Sequence, residues 1–308
     1  MPPDEALDAF LAASPAARWR REPLAGDASG RRYERLRGPA GTAILMDARA
    51  ERASVAPFLR IAAHLRTLGL CPPAVIQADE AGGLLLLEDL GPETLAGWLA
   101  RRPADEGPLY EAATDLLPRL RALPPPDGLP ILSPSRLAGM VEPLLDGADP
   151  RAGALLVGRL REALEAHAPE ADALSLRDFH ASNLVWREGR EGSDRLGLLD
   201  FQDAVAAHPL YDLASLLRDA RREVAEGTAD AMLRRAAEAL GRPQGRAAGA
   251  LAALAVARNL RIVGVFRRLA ARGRAGYLAF LPRVRAHLAR DLAHPALAAL
   301  RAPAEALL

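Results

Sequence analysis

The 308-residue sequence predicts an α+β fold in two lobes, a small β-rich N-terminal lobe and a larger, mostly helical C-terminal lobe. Three observations predict it. Short apolar runs separated by turns fill the first third, and helical periodicity dominates from residue 93 onward. The one break in that periodicity, at 184–199, has the form of a hairpin around Gly189 and Gly192. A chain of this length buries enough surface for one large domain or two modest lobes. The expected division is an N-terminal lobe over 1–87, a hinge at 88–91 and a helical lobe over 92–308.

Each element follows from its local pattern. A short helix at 4–13 carries Leu7, Phe10 and Leu11 on one face. Strands follow at 19–24, 31–36 and 42–47, separated by Gly26-Asp27-Ala28-Ser29-Gly30 and Gly38-Pro39-Ala40-Gly41. A helix over 54–68 places Val55, Leu59, Ala62 and Leu65 on one stripe and stops before Gly69. Strands at 74–77 and 84–87 flank the turn at 79–83. Helices are expected at 93–102, 106–123, 151–168, 210–225, 228–240, 246–272 and 278–292, with a Pro-rich loop at 123–134. The interrupting strands are 184–186 and 196–199.

Composition narrows the function classes. Half the residues are apolar and 26% charged, as in an ordinary globular protein. The start, Met1-Pro2-Pro3-Asp4-Glu5, has neither the basic residues nor the apolar stretch of a secretion signal, so a cytoplasmic protein is expected. No run of eighteen apolar residues predicts a membrane span. A net charge of +1 gives no reason to expect nucleic acid as a partner. Cys71 is the single cysteine, which excludes an intramolecular disulfide and a multi-cysteine zinc site. The chain contains no lysine, so arginine is its only permanently charged cation.

The strongest chemical signal is Leu176-Arg177-Asp178-Phe179-His180-Ala181-Ser182-Asn183-Leu184, followed by Leu198-Leu199-Asp200-Phe201-Gln202-Asp203. An Asp and an Asn five residues apart precede one hairpin strand, and a second Asp follows the other. Phosphoryl transfer needs a carboxylate to take the proton of the attacking hydroxyl, and hard oxygen ligands for Mg²⁺. A hairpin brings the ends of its strands together, so Asp178, Asn183 and Asp200 are expected to converge. Taken singly, the same residues serve as turn caps. His180, two residues past Asp178, is expected to pack within the loop, and Asp212 of Tyr211-Asp212-Leu213-Ala214 to hold backbone.

The spacing R-D-x-x-x-x-N followed by D-F resembles that of the aminoglycoside-phosphotransferase-like kinases, and so of the protein-kinase-like fold. The resemblance implies ATP and Mg²⁺ as cofactors, Asp178 as catalytic base, and Asn183 and Asp200 as metal ligands. It makes Leu84-Leu85-Leu86-Leu87-Glu88-Asp89-Leu90-Gly91 a strand running into the hinge, where the backbone of Glu88 and Leu90 reads adenine. The loop 26–30, with Ser29, stands where a phosphate-covering loop lies. One departure matters: Ala43-Ile44-Leu45-Met46 aligns with V-A-I-K, so Met46 replaces the phosphate-binding lysine, and the helix over 54–68 lacks the usual glutamate partner. Arg31, Arg32 and Arg35 on the preceding strand can supply the cation, and Arg32 is the preferred candidate.

A narrower resemblance covers nearly the whole chain. Asp27-Ala28-Ser29, Arg31-Arg32-Tyr33, Met46-Asp47-Ala48, Glu88-Asp89-Leu90-Gly91, Asp200-Phe201-Gln202-Asp203-Ala204 and Arg258-Asn259-Leu260-Arg261-Ile262-Val263-Gly264 are similar to the anomeric sugar kinases of bacterial cell-wall recycling. That similarity implies N-acetylmuramate or N-acetylglucosamine as the small-molecule partner. Charge supports an anionic acceptor: eleven arginines and no acidic residue lie between Glu238 and Asp291. Two other readings stay open, a kinase for another small alcohol such as choline, homoserine or an aminoglycoside, and a nucleotide-binding scaffold without turnover.

Overall fold

The computed structural model describes residues 3–24 and 30–308. The chain forms two compact units, Met1–Thr94 with Leu184–Asp203, and Leu95–Asn183 with Ala204–Leu308.

The first unit opens with helix α1 (Pro3–Ala12) and strands β1 (Arg20–Pro23), β2 (Arg32–Gly38) and β3 (Gly41–Asp47). Helix α2 (Val55–Thr67) and strands β4 (Val75–Asp79) and β5 (Leu84–Glu88) follow. All five strands form one antiparallel sheet in the order β1-β2-β3-β5-β4. Residues 84–87, all leucine, are buried because β5 lies inside the sheet with both faces covered. Leu84 and Leu86 join Leu36, Ala43 and Leu45 in a core with Leu7, Phe10 and Leu11 of α1. Leu85 faces the other way, as does its register partner Met46, and neither is exposed to solvent. On α2 the buried stripe is Val55, Phe58, Ile61, Ala62 and Leu65, one residue out of step with the expectation at Leu59.

The remaining strands are β6 (Ala173–Ser175), β7 (Leu184–Trp186), β8 (Leu196–Leu198) and β9 (Val205–Ala207). The expected hairpin is β7–β8, with Leu184 opposite Leu198, and it belongs to the first unit. The pair β6–β9, which the sequence pattern did not announce, lies in the second unit. Strands of three residues are too short for alternation to register.

Helices α3 (Leu95–Arg101), α4 (Glu106–Thr114), α5 (Pro134–Gly139), α6 (Pro150–His167) and α7 (Tyr211–Leu217) also belong to the second unit. So do α8 (Glu226–Ala239), α9 (Gln244–Ala271), α10 (Leu281–Leu292) and α11 (Ala298–Glu305). Two helices are shorter than their patterns. The one expected to reach 123 stops at Thr114, four residues before Pro118, whose ring cannot pass the carbonyl of the preceding turn. The one expected to reach 225 stops at Leu217, where Arg218 leaves helical geometry and its guanidinium pairs with Asp291 in the interior, at 2.9 Å. The pattern also left α11 unread.

Helix α9 organises this unit. It packs against α6, α7, α8 and α10 and is long and apolar enough in composition to cross a membrane. Some 78% of its apolar window is buried inside the protein, which makes it a core helix. Gly264 lets it approach closely: a Cβ there would stand 2.2 Å from the backbone nitrogen of Leu144.

Candidate functional site

The loop after β6 is fixed by one buried carboxylate. Asp212, in the first turn of α7, accepts hydrogen bonds from Ser175 Oγ (2.6 Å), the Leu176 N–H (2.8 Å) and the Arg177 N–H (3.0 Å). Burial pushes its carboxyl up to about 6, while these donors and the charge of Arg258 pull the other way. Asp212 thus holds backbone, as expected. Arg177 takes a left-handed conformation with φ 68°, uncommon for a side chain of its size. Its carbonyl accepts from Arg258 Nη1 (3.1 Å) and Ser215 Oγ (3.3 Å), so the strain is held from both sides. Asp178 follows directly on this clamped turn.

The loop closes on itself. Asn183 Nδ2 donates to the Asp178 carbonyl at 2.9 Å, and among the described residues Oδ1 of the same amide makes no hydrogen bond. His180 is buried, with Nε2 3.3 Å from Arg221 Nη1 and 3.4 Å from Asn183 Nδ2. Burial lowers its pKa, and it packs inside the loop.

Asp178 borders a cavity of about 180 Å³ that lies wholly within the second unit. Arg177 and Tyr211 form one wall; Arg258, Arg261, Ile262 and Val265 form the other. Those four lie at i, i+3, i+4 and i+7 of α9 and therefore share a face. Arg258 is committed to Ser215 Oγ (2.7 Å), the Tyr211 hydroxyl (3.4 Å) and the face of the Tyr211 ring. The sequence offered Arg258 and Arg261 as parts of a basic stretch and of a segment similar to the sugar kinases, without a role for either; their helical spacing from Ile262 and Val265 is the signal that groups them.

In the first unit, Asp200 follows β8 and is the second non-glycine residue in left-handed geometry among those described, with φ 57°. Its Oδ1 accepts from Gln202 Nε2 at 3.0 Å and from Arg31 Nη2 at 3.3 Å. Phe201 stacks on Phe58 of α2 at 4.8 Å between ring centroids and anchors this turn. Arg31 is 8% exposed and also pairs with Glu51 at 3.7 Å, whose carboxylate accepts the Gly30 N–H at 2.5 Å.

The other arginines differ in their surroundings. Arg32 is exposed, opposite Asp47 in the sheet register, and lines a cavity of about 390 Å³ with Arg49, Arg52 and Asp79. Arg35 makes a two-point contact with Asp89, at 2.7 and 3.1 Å. Burial works against the Asp89 charge, but Arg35 and the Gly91 N–H outweigh it and hold the carboxyl below its ordinary range. Met46 is fully buried in β3 and contributes to the core. Ser29 lies outside the described residues.

At the end of β5 the Glu88 N–H donates to the Ala74 carbonyl at 2.7 Å, and the Glu88 side chain accepts from Arg187 at 3.0 Å. Leu90 is buried with Cys71 and Val185, and among the described residues its N–H makes no hydrogen bond.

Comparison with known proteins bears on the family and the fold. The model of the phosphotransferase enzyme family matches residues 20–251. An N-acetylmuramate/N-acetylglucosamine kinase of Caulobacter vibrioides is 38% identical, covering 97% of this chain and 95% of that one. A protein of the same name from Pseudomonas aeruginosa is 31% identical, covering 85% of this chain and 80% of its own length. Among solved structures, a choline/ethanolamine kinase family protein from Mesorhizobium loti aligns over 99% of both chains, with TM-score 0.66 and 16% identity. The GDP complex of aminoglycoside 2'-phosphotransferase-IIIa aligns over 94% of this chain and 100% of its own, with TM-score 0.67 and 13% identity. The fold is therefore the two-lobed, protein-kinase-like α+β fold, and the chain belongs to the phosphotransferase enzyme family.

Proposed function

We propose that this protein transfers the γ-phosphoryl group of ATP to the anomeric hydroxyl of an amino sugar, N-acetylmuramate or N-acetylglucosamine. The observation that carries the reading is the cavity that Asp178 lines together with Arg177, Arg258 and Arg261, a carboxylate in a basic pocket inside one unit. In the reaction the sugar oxygen attacks the γ-phosphorus and Asp178 takes the hydroxyl proton. The bond from the γ-phosphorus to the bridging oxygen breaks, leaving ADP and a sugar phosphate. A clamped loop suits this role, because a base must be held in place to act on one hydroxyl.

Asn183 and Asp200 are proposed to hold Mg²⁺. Asp200 presents a carboxylate with 36% of its side chain exposed, and Asn183 keeps Oδ1 for a ligand role. The resemblance pairs them, and along the chain they flank the β7–β8 hairpin, Asn183 just before Leu184 and Asp200 two residues after Leu198. Among the described residues no group of three or more acidic, His or Cys side chains forms a metal cage. Mg²⁺ is commonly held by one or two protein oxygens together with phosphates and water. When bound, Mg²⁺ neutralises charge on the phosphate oxygens.

For the nucleotide, the segment 88–91 offers a carbonyl at Glu88, whose N–H is spent on Ala74, and an N–H at Leu90. An acceptor and a donor in this order match the amine and the adjacent ring nitrogen of adenine. For the phosphate-binding cation, Arg32 remains the candidate by strand position. Arg31 is the alternative, because its contact with Asp200 at 3.3 Å would set its guanidinium beside the proposed metal ligand. A guanidinium can bridge two phosphate oxygens where a lysine would touch one. Purified protein assayed with ATP and Mg²⁺ should phosphorylate both amino sugars and leave choline, homoserine and aminoglycosides unmodified. Nucleotide binding with no turnover on any acceptor would replace the kinase reading with that of a binding scaffold.

A further inference from the structure

We infer that Arg261 binds a carboxylate on the acceptor, so that this pocket distinguishes an acidic amino sugar from a neutral one. The inference rests on the amino-sugar reading above and assigns one residue to one group of the substrate.

Charge in the pocket is unbalanced. Arg177, Arg258 and Arg261 line it against the single carboxylate of Asp178. Arg258 spends its donors on Ser215, Tyr211 and the Arg177 carbonyl, and the buried Asp212 carboxylate offsets part of its charge, so the surplus rests on Arg177 and Arg261. Among the described residues, neither Arg177 nor Arg261 has a carboxylate within ion-pairing distance. Arg261 is half-buried, and burial and the nearby charge of Arg177 both oppose its own charge. A base that must accept a proton cannot also neutralise two guanidinium groups without losing basicity. The pocket is thus built to receive a second anion.

Geometry says which anion. Arg261 stands on α9 one turn from Arg258, beside Ile262 and Val265, so its guanidinium borders apolar surface. A carboxylate carried on a short alkyl arm fits that combination: the acid meets the guanidinium fork and the alkyl part meets Ile262 and Val265. N-Acetylmuramate carries such an arm as a lactyl ether, and N-acetylglucosamine has a plain hydroxyl at the same carbon. The volume of about 180 Å³ has room for the arm and part of the ring. The nucleotide's phosphates are the other source of negative charge, and the two sources separate experimentally.

The test compares both sugars and ATP in the full-length protein carrying Arg261→Gln or Arg261→Lys. Arg261→Gln should raise KM for N-acetylmuramate about ten- to a hundredfold, the range for a charge-assisted hydrogen bond. KM for N-acetylglucosamine and for ATP should stay within about twofold. Arg261→Lys should recover part of the loss, since it keeps the charge and loses the fork. Calorimetric titration of each sugar should show the same split in binding alone, and thermal unfolding checks that each variant is folded. Equal loss on both sugars would overturn the carboxylate contact while the amino-sugar reading stands. A loss confined to ATP would assign Arg261 to the nucleotide instead. If the unaltered protein neither binds nor turns over either sugar, the amino-sugar reading fails, and this inference with it.

Discussion

Asp178→Asn keeps the size of the side chain and removes its ability to accept a proton, so it separates chemistry from folding. If Asp178 is the base, kcat should fall by roughly 10²–10⁴-fold with the Tm unchanged; near-normal turnover in the folded variant would move the role elsewhere. The phosphate cation is tested by a matched pair. Arg31→Ala should weaken ATP binding about tenfold or more and leave adenosine nearly unchanged, because adenosine lacks the groups the guanidinium would hold. Arg32→Ala carries the expectation drawn from strand position. An ATP-specific loss at 32 and not at 31 would restore that assignment. Arg35→Ala should weaken both ligands through the hinge, since Arg35 braces Asp89. What distinguishes the three arginines could not be read from the sequence. They sit within five residues of each other, and only the fold reveals that Arg31 is enclosed between Glu51 and Asp200, Arg32 exposed and Arg35 paired with Asp89.

Among the elements, α9 makes the sharpest demand. Gly264→Ala would place a methyl carbon 2.2–2.6 Å from the backbone of Pro143 and Leu144, which has no side chain to swing aside. The variant should lose about 1–3 kcal/mol of stability, the usual cost of overpacking, measurable by denaturant unfolding. Because Arg258 and Arg261 ride on the same helix, a shift of α9 should also raise KM for the acceptor. Unchanged stability would mean that the helix moves away without cost. Elements of this kind were legible in the sequence wherever periodicity ran long enough. The five-stranded sheet, α2, α6, α8, α9 and the β7–β8 hairpin all lie within about two residues of their patterns. Besides the unread α5 and α11, three features were not legible. Thr114 ends α4 because of a proline inside an otherwise helical run. Leu217 ends α7 because Arg218 finds a carboxylate 73 residues away. The β6–β9 pair is too short to carry a pattern, and it supplies the strand from which the Asp178 loop departs. Local chemistry can be read along the chain; pairing between distant segments cannot.

Over the whole molecule, His64, His180, His208 and His287 are all lowered below their ordinary titration range by burial. The largest resolved case is His208, lowered to about 4, whose side chain is fully enclosed. Its Nδ1 accepts the Leu210 N–H at 3.1 Å, which puts the proton on Nε2, facing Glu170 at 3.2 Å. Arg242 also approaches Nε2, at 3.2 Å, and disfavours a second positive charge there. A histidine held neutral in the folded state contributes stability that is complete above the unfolded value of 6.5. That stability is lost as pH falls toward 4, because the unfolded chain takes up the proton first. By pH 5.5 the loss from His208 alone is about 1.4 kcal/mol, or about 2 °C in Tm. Asp212 runs the other way. Its carboxyl is raised to about 6, so its contribution is complete at low pH and lost as pH rises through that value, which offsets part of the histidine effect below pH 6. The Tm of the full chain should therefore begin to fall between pH 7.5 and 6, before Asp212 takes up a proton. His208→Asn keeps an acceptor for the Leu210 N–H and removes the titration, so its Tm should be flatter over the same range. Parallel pH profiles for the two proteins would show that His208 charges freely in the folded state.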